Sequence, residues 1–323
     1  MTSYQERFHQ TWGSLRDQHV RSLAWLLTAP QLLAPSAMIE AKQIAQIHLP
    51  PPASLTQWLH DLDQQPAAFH AALQLHRYRR LGHYAENLLR FFFNHTGELL
   101  ECGLQVHQNQ SATVGEFDFL LRDGDGIAHL EMATKFYLFY QASHVKTASQ
   151  PERAPDLFDF LGPNLADTLG AKIEKIVHQQ LKLSAHPAAQ QILPQGVCNA
   201  QVLMKGWLFY RDAPSPAPAP TVTGVASEHC RGHWWTYDDL LNLTFETAKI
   251  LPKLQWLAPA RVQQHEGEPR QLLLDNLAAR LATDQTPVML ALLRDNGEYL
   301  EEVQRGMVVS NDWMARADTR SLN

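Results

Sequence analysis

Residues 127–138 read IAHLEMATKFYL, and this stretch decides the fold of the chain. Side chains of a β-strand point alternately to its two faces. The alternation here separates an apolar face, with Leu130, Met132, Phe136 and Leu138, from a more polar one, with His129, Glu131, Ala133, Lys135 and Tyr137. We therefore predict a strand that buries one face and presents functional groups on the other.

Two further strands are predicted immediately before this one. In residues 98–107 the even positions from Leu100 to Val106 are apolar, as in a half-buried strand. Residues 114–121 place Phe117, Phe119 and Leu121 on one face, and Glu116 and Asp118 on the other. The turn sequence Arg-Asp-Gly-Asp-Gly at 122–126 joins this run to the third. The three runs predict a β-meander.

Helical periodicity surrounds the meander on both sides. It predicts helices at residues 4–27, 55–59, 66–75 and 81–94, the last with Glu86 in its middle and Gly97 near its end. A long helix is expected at 165–183, with Asn164 as its N-cap. A fourth strand follows at 200–210. The order of elements around the meander is therefore αβββαβ.

The C-terminal third is set off by residues 213–220, where proline alternates with small residues as in an extended linker. After it we predict helices at 238–249 and 271–281. A hairpin is predicted from 288–293 and 299–309 around Asn296-Gly297, because this dipeptide favours tight hairpin turns. The expected fold class is α/β, with an N-terminal helical region at 1–79, a core at 80–212 and a C-terminal α+β lobe at 221–323.

Four segments of the chain carry a resemblance to known proteins. Residues 82–87 (GHYAEN), 115–120 (GEFDFL) and 129–136 (HLEMATKF) resemble the PD-(D/E)XK, or restriction-endonuclease-like, nuclease superfamily. Together with residues 160–164 (FLGPN) they are also similar to the bacterial domain-of-unknown-function family 1853, which has been associated with that superfamily. The resemblance implies a restriction-endonuclease-like αβββαβ core.

The acids on this predicted core suit phosphodiester hydrolysis. A Mg²⁺ or Mn²⁺ ion held by one or two carboxylates can neutralise a phosphate and activate a water molecule. Asp118 and Glu131 are the expected ligands, since their polar faces coincide if the two strands are neighbours. Glu86 would bind the metal directly or through water. The resemblance implies that the main-chain carbonyl of Met132 completes the shell, and that Lys135 acts in catalysis beside Asp118 and Glu131.

The lysine position departs from the superfamily pattern. The usual signature places a lysine two residues after the strand acid, where this chain has Ala133. Lys135 lies two residues further, about 7 Å along the strand. Lys172 or Lys175 on the following helix could replace it, because a lysine side chain is long and flexible.

Four other residues are predicted to support the site or to contact substrate. His129 and Glu116 flank the acids on the same strands. Arg79 and Arg80 end a basic run at 76–80, which precedes the helix that carries Glu86 and could contact phosphates.

Composition limits the class of protein. Among 323 residues, 33 acids exceed 27 lysines and arginines, which gives a net charge of −6 and argues against nonspecific coating of nucleic acid. The N-terminus lacks a secretory pattern and charges interrupt every apolar stretch, so a cytoplasmic protein without membrane spans is expected.

Three functions remain open at this point, and the oligomeric state is not determined. The first is a metal-dependent nuclease acting on DNA or RNA. The second is a noncatalytic protein that binds nucleic acid or protein on a degenerate nuclease fold, an interpretation that Ala133 favours. The third is metal-assisted hydrolysis of a smaller phosphorylated substrate.

Overall fold

The computed structural model describes residues 3–75, 78, 80–109, 112–141, 153–211 and 220–321. Within these ranges eleven strands join one mixed sheet, and helices pack on both of its faces. The predicted α/β class is confirmed.

The helices are α1 (Tyr4–Trp12), α2 (Gln18–Thr28), α3 (Pro52–Gln64), α4 (Ala67–Leu73), α5 (Leu81–Thr96), α6 (Leu169–Lys175), α7 (Pro187–Ile192), α8 (Tyr237–Leu241), α9 (Arg270–Thr283) and α10 (Trp313–Ser321). A π-helical turn (Ile176–Gln180) continues α6. The strands are β1 (Leu99–Asn109), β2 (Ala112–Asp123), β3 (Gly126–Phe139), β4 (Phe160–Leu161), β5 (Asn199–Arg211), β6 (Cys230–Thr236), β7 (Thr247–Ile250), β8 (Arg261–Val262), β9 (Glu268–Pro269), β10 (Val288–Asp295) and β11 (Leu300–Val309).

The sheet has the strand order β1-β2-β3-β5-β6-β11-β10-β7-β9, with β4 beside β3 and β8 beside β11. The predicted meander β1-β2-β3 is antiparallel, whereas β5 is parallel to β3 and β6 is parallel to β5. Along the chain α5, β1, β2, β3, α6 and β5 follow one another, with β4 between β3 and α6 and with α7 between α6 and β5. The C-terminal strands extend the same sheet that holds the meander.

The two faces of β3 are those predicted from residues 127–138. Leu130, Met132 and Leu138 pack into a core that includes apolar side chains of α2 and α5. Ala133 and Tyr137, on the opposite face, pack into a second core with apolar side chains of α6 and the π-helical turn. The helices α5 and α6 therefore lie on opposite faces of this strand.

The predicted helix at 81–94 is confirmed as α5. Its apolar residues Tyr84, Leu88 and Phe92 recur at helical intervals and are fully buried. Gly97 ends the helix with φ +74°, a left-handed conformation that glycine adopts without steric cost.

The predicted N-cap Asn164 is wrong, and α6 starts later than expected. Thr168 caps the helix, and its hydroxyl accepts a hydrogen bond from the Ala171 amide at 3.1 Å. Leu165 has φ +57° and its amide bonds back to the Gly162 carbonyl at 2.7 Å. Because this turn is incompatible with helical dihedral angles, the helix cannot begin before it.

Two other predicted helices are divided in the structure. Residues 4–27 form α1 and α2, because Asp17 accepts hydrogen bonds from the amides of His19 and Val20 and starts a new helix. In 238–249 only α8 is helical; β7 pairs with β9 and β10 instead. The predicted hairpin is confirmed, with Gly297 at φ +95° between β10 and β11. The predicted linker at 213–220 lies outside the described residues except for Pro220.

A fully buried ion pair joins the C-terminal strands to the rest of the core. Arg305 donates from Nε to Glu302 Oε1 at 2.6 Å and from Nη2 to Oε2 at 2.7 Å. It also donates to the carbonyl of Ala258 at 2.7 Å, and Glu302 Oε2 accepts from the Ala260 amide at 2.8 Å. The guanidinium lies 4.1 Å from the ring centroid of Trp207 on β5. The ion pair thus connects β11 to residues 258–260 and to β5.

Candidate functional site

The ladder between β2 and β3 ends at the predicted metal ligands. Main-chain pairing begins with Asp123 opposite Gly126 and ends with Phe119 opposite Leu130. Beyond that point the Met132 amide donates to Asp118 Oδ2 at 2.9 Å, so a side chain takes the place of a strand carbonyl. The two strands therefore separate where the acids lie.

The alternation of side chains between the two faces of β2 is also interrupted at Asp118. Phe119 packs into the core under α5, whereas Phe117 packs with Leu120 and lies 4.7 Å from the His129 ring in a T-shaped contact. The prediction that Phe117 and Phe119 share a face is therefore wrong. We attribute the interruption to the loss of pairing with β3, which lets the Asp118 carboxyl turn towards that strand.

Asp118 and Glu131 form a pair of neighbouring acids, which we call the acid pair. Burial is the main cause that raises the pKa of each carboxyl to about 7. The charge of Glu131 further raises the pKa of Asp118, while a hydrogen bond between the two side chains lowers that of Glu131. Each carboxyl therefore keeps its proton to a higher pH than a free carboxyl does, and because the two groups interact, the titration belongs to the pair.

Both oxygens of Glu131 are held by other side chains. His129 Nε2 lies 3.1 Å from Oε1, and Gln180 Nε2 donates to Oε2. Burial lowers the pKa of His129 to about 4, so the ring is neutral. Its Nδ1 is buried without a partner in the described ranges, which favours the tautomer with the proton on Nε2. The neutral ring then donates to the carboxylate.

Gln180 is the site residue that sequence reasoning missed. Its Oε1 accepts from Lys172 Nζ at 3.3 Å, which makes a continuous chain from Lys172 through Gln180 to Glu131. Gln180 ends the π-helical turn, in which the Leu181 amide bonds to the Ile176 carbonyl at 2.8 Å. No periodicity in the sequence distinguishes this glutamine from Gln179, because the wider turn departs from helical spacing.

The three candidate lysines occupy different surroundings. The positive charge of Lys172 acts on Glu131 and Asp118, and it lowers the pKa of Glu131. Lys135 is half-buried, and its pKa is lowered by burial and then by Lys172. Lys175 is exposed on α6. Lys172 is thus the lysine that the fold brings to the acid pair.

Glu86 and Glu116 surround the acid pair at its edge. Glu86 is partly exposed and lies 3.1 Å from His83 Nδ1, and its charge raises the pKa of both Asp118 and Glu131. Glu116 is exposed, accepts a hydrogen bond from Gln105 at 3.2 Å, and raises the pKa of Glu131.

The remaining predicted site residues are Met132, Arg80 and Arg79. The Met132 side chain is buried under α5, and its main-chain amide donates a hydrogen bond to the Asp118 carboxylate. Arg80 is exposed at the N-cap position of α5, where its side chain makes no capping hydrogen bond. Arg79 lies outside the described residues.

A family model described as "Domain of unknown function (DUF1853)" matches residues 21–309. The chain belongs to this family. The matched range includes the acid pair, Lys172 and Gln180. Neither the curated proteins nor the solved structures contain a match to this DUF1853 chain. In the described parts of the chain, no helix has both the length and the apolar character required to span a bilayer.

Asp118 and Glu131 are the two neighbouring carboxylates of the DUF1853 site. Over the described ranges, no three His, Cys, Asp or Glu side chains are arranged to hold a metal ion together. Mg²⁺ in proteins commonly takes one or two carboxylates and keeps several waters. Since the mutual repulsion of Asp118 and Glu131 opposes ionisation of both, a divalent cation between them would relieve it.

The raised pKa of Asp118 predicts an unusual pH dependence of stability. Its pKa rises from about 4 in the unfolded chain to about 7, so the folded state binds more protons across that window and stability falls as pH increases through it. Asp118→Asn removes this titration. We expect the gain of the variant in free energy of unfolding to be about 1–3 kcal/mol larger at pH 8 than at pH 5.

Urea denaturation at the two pH values measures this difference. Asp125→Asn is the matched control, because Asp125 is exposed in the turn between β2 and β3. It should leave stability unchanged at both pH values. A gain for Asp118→Asn that is larger at pH 5 than at pH 8 would contradict the assignment.

Proposed function

We propose that this DUF1853 chain is a metal-dependent phosphodiester hydrolase that acts on DNA or RNA through a restriction-endonuclease-like core. The observation that carries the proposal is the buried Asp118–Glu131 pair at the opening of the β2–β3 ladder, linked to Lys172 through Gln180. The element order αβββαβ, with β5 parallel to β3, supports the same assignment.

The chemistry divides between the cation and the protein. Mg²⁺ or Mn²⁺, held by Asp118 and Glu131, would supply Lewis-acid polarisation of the phosphate and an activated water. Lys172 stabilises the negative charge that develops on the phosphate. Gln180 holds Lys172 beside Glu131, and His129 orients the Glu131 carboxylate. In this assignment Lys172, rather than Lys135, takes the role of the superfamily lysine.

A second candidate function is noncatalytic binding of nucleic acid or protein. Two observations favour it. Ala133 occupies the usual lysine position, and both oxygens of Glu131 already accept hydrogen bonds within the protein. A carboxylate that is satisfied in this way gains less from binding a cation.

The test is a titration of Mg²⁺ and Mn²⁺ against single- and double-stranded DNA and RNA, with EDTA as the metal-free reference. We expect wild type and Asp125→Asn to cleave at least one of these polymers only with metal, and Asp118→Asn to give the EDTA background. Cleavage by Asp118→Asn at the wild-type rate, or no metal-dependent cleavage by wild type, would overturn the proposal. Metal-independent binding that survives Asp118→Asn would instead support the noncatalytic function.

A further inference from the structure

Three cationic side chains gather around Asp167, in the turn that precedes α6. The charges of Lys135 and Lys172 both interact with the Asp167 carboxylate. Arg320 on α10 donates from Nη1 to the Asp167 main-chain carbonyl at 3.0 Å. We call Lys135, Lys172 and Arg320 the cation cluster. It holds three positive charges in a chain whose net charge is −6.

Among the described residues, no carboxylate forms a hydrogen bond or an ion pair with a side chain of the cation cluster. The Lys135 side chain makes no hydrogen bond or ion pair with a described residue, and the only such bond of the Lys172 side chain goes to the neutral Gln180. Asp167 is the acid among them, and its carboxylate also accepts a hydrogen bond from the Tyr137 hydroxyl at 2.9 Å. Lys172 also faces the carboxylates of Glu131 and Asp118, so the excess of positive charge lies at Lys135 and Arg320.

The fold holds Lys135 and Lys172 close despite their repulsion. On β3, Ala133 and Tyr137 are buried in the core that α6 covers, and strand alternation points the intervening Lys135 to the same face. Ile173, next to Lys172, is buried in that core as well. Burial and the neighbouring ammonium both lower the pKa of Lys135. An anion placed between the two side chains would relieve this cost.

We propose that the cation cluster binds a phosphate group that flanks the scissile phosphate. The identity of the larger ligand as a nucleic acid rests on the proposed function. Lys172 is the member of the cation cluster that also faces the acid pair. Lys135 lies four residues beyond Glu131, about 13 Å along β3. A polynucleotide strand that reaches the acid pair would place a neighbouring phosphate on Lys135 and Arg320.

Inorganic phosphate is the probe, titrated in EDTA at constant ionic strength against chloride. We expect saturable stabilisation of wild type and of Asp118→Asn, measured by thermal denaturation and by ³¹P line broadening. Lys135→Met and Arg320→Gln should each weaken phosphate binding by at least about tenfold, because each removes a charge-assisted contact. Lys135→Arg should restore most of it. Lys182→Met is the matched control, since Lys182 is exposed beyond the π-helical turn and should leave binding unchanged.

The outcomes separate this inference from the nuclease proposal. Phosphate binding without metal-dependent cleavage would support the cation cluster and overturn only the proposed reaction. No saturable phosphate binding by wild type, equal binding by Lys135→Met, or an equal loss in Lys182→Met would overturn the cation cluster as a phosphate site.

Discussion

Replacing Lys172 by methionine is expected to lower the turnover number of metal-dependent cleavage by about 10²–10³-fold, with little change in KM. The ammonium group of Lys172 is held by Gln180 next to Glu131, where the phosphate would gain charge in the transition state. A preorganised donor at this position stabilises the transition state more than the bound substrate. The substitution should therefore lower the turnover number more than it raises KM.

Lys135→Met provides the comparison, because Lys135 lies further along β3 and contacts a flanking phosphate in our assignment. It should raise KM about tenfold or more and keep turnover within about tenfold of wild type. Both values come from steady-state kinetics on the best polymer found in the metal titration, with circular dichroism as a check of folding. A larger loss of turnover in Lys135→Met than in Lys172→Met would assign the superfamily role to Lys135.

The largest effect on stability is expected from Glu302→Gln, which leaves Arg305 buried without a counter-charge. Both side chains are completely inaccessible to solvent, and the two hydrogen bonds between them are 2.6 and 2.7 Å long. Removing one partner of a buried ion pair typically costs about 3–5 kcal/mol. For a chain of 323 residues this corresponds to a fall of roughly 5–7 °C in Tm.

Glu301→Gln is the matched control for Glu302→Gln. Glu301 is partly exposed and its nearest cationic atom, Nε of Arg261, is 3.6 Å away. Its substitution should cost less than about 1 kcal/mol. The double change Glu302→Leu with Arg305→Met should cost less than Glu302→Gln alone, because it leaves no uncompensated charge. Equal losses for Glu301→Gln and Glu302→Gln would show that burial of the pair does not determine its contribution.

The strands of the meander and of the last hairpin could be predicted because local patterns mark them. The alternation in residues 127–138, the glycines at 124 and 126 and the pair Asn296-Gly297 all act within a few residues of chain. The acids Asp118 and Glu131 could be selected for the same reason. Their faces follow from strand periodicity, and the structure brings the two carboxyl groups together.

What could not be predicted depends on contacts between distant residues. The interruption at Asp118 arises where β2 leaves β3, and no local pattern marks this separation. The contact of Gln180 with Glu131 requires a π-helical turn, and the choice of Lys172 over Lys135 requires the position of α6. The helix predicted at 238–249 includes residues of β7, whose pairing with β10 and β9 outweighs the local helical preference.

The parallel pairing of β5 with both β3 and β6 has a consequence for synthesis of the chain. The meander can close as soon as residue 139 has been made, because its contacts are local. Strand β6, in contrast, is enclosed only when β11 arrives some seventy residues later. Until then the nascent chain presents an open ladder and the apolar side chains of Trp207 and Trp234. The chain is therefore most prone to misassembly in the interval before the last hairpin has been made.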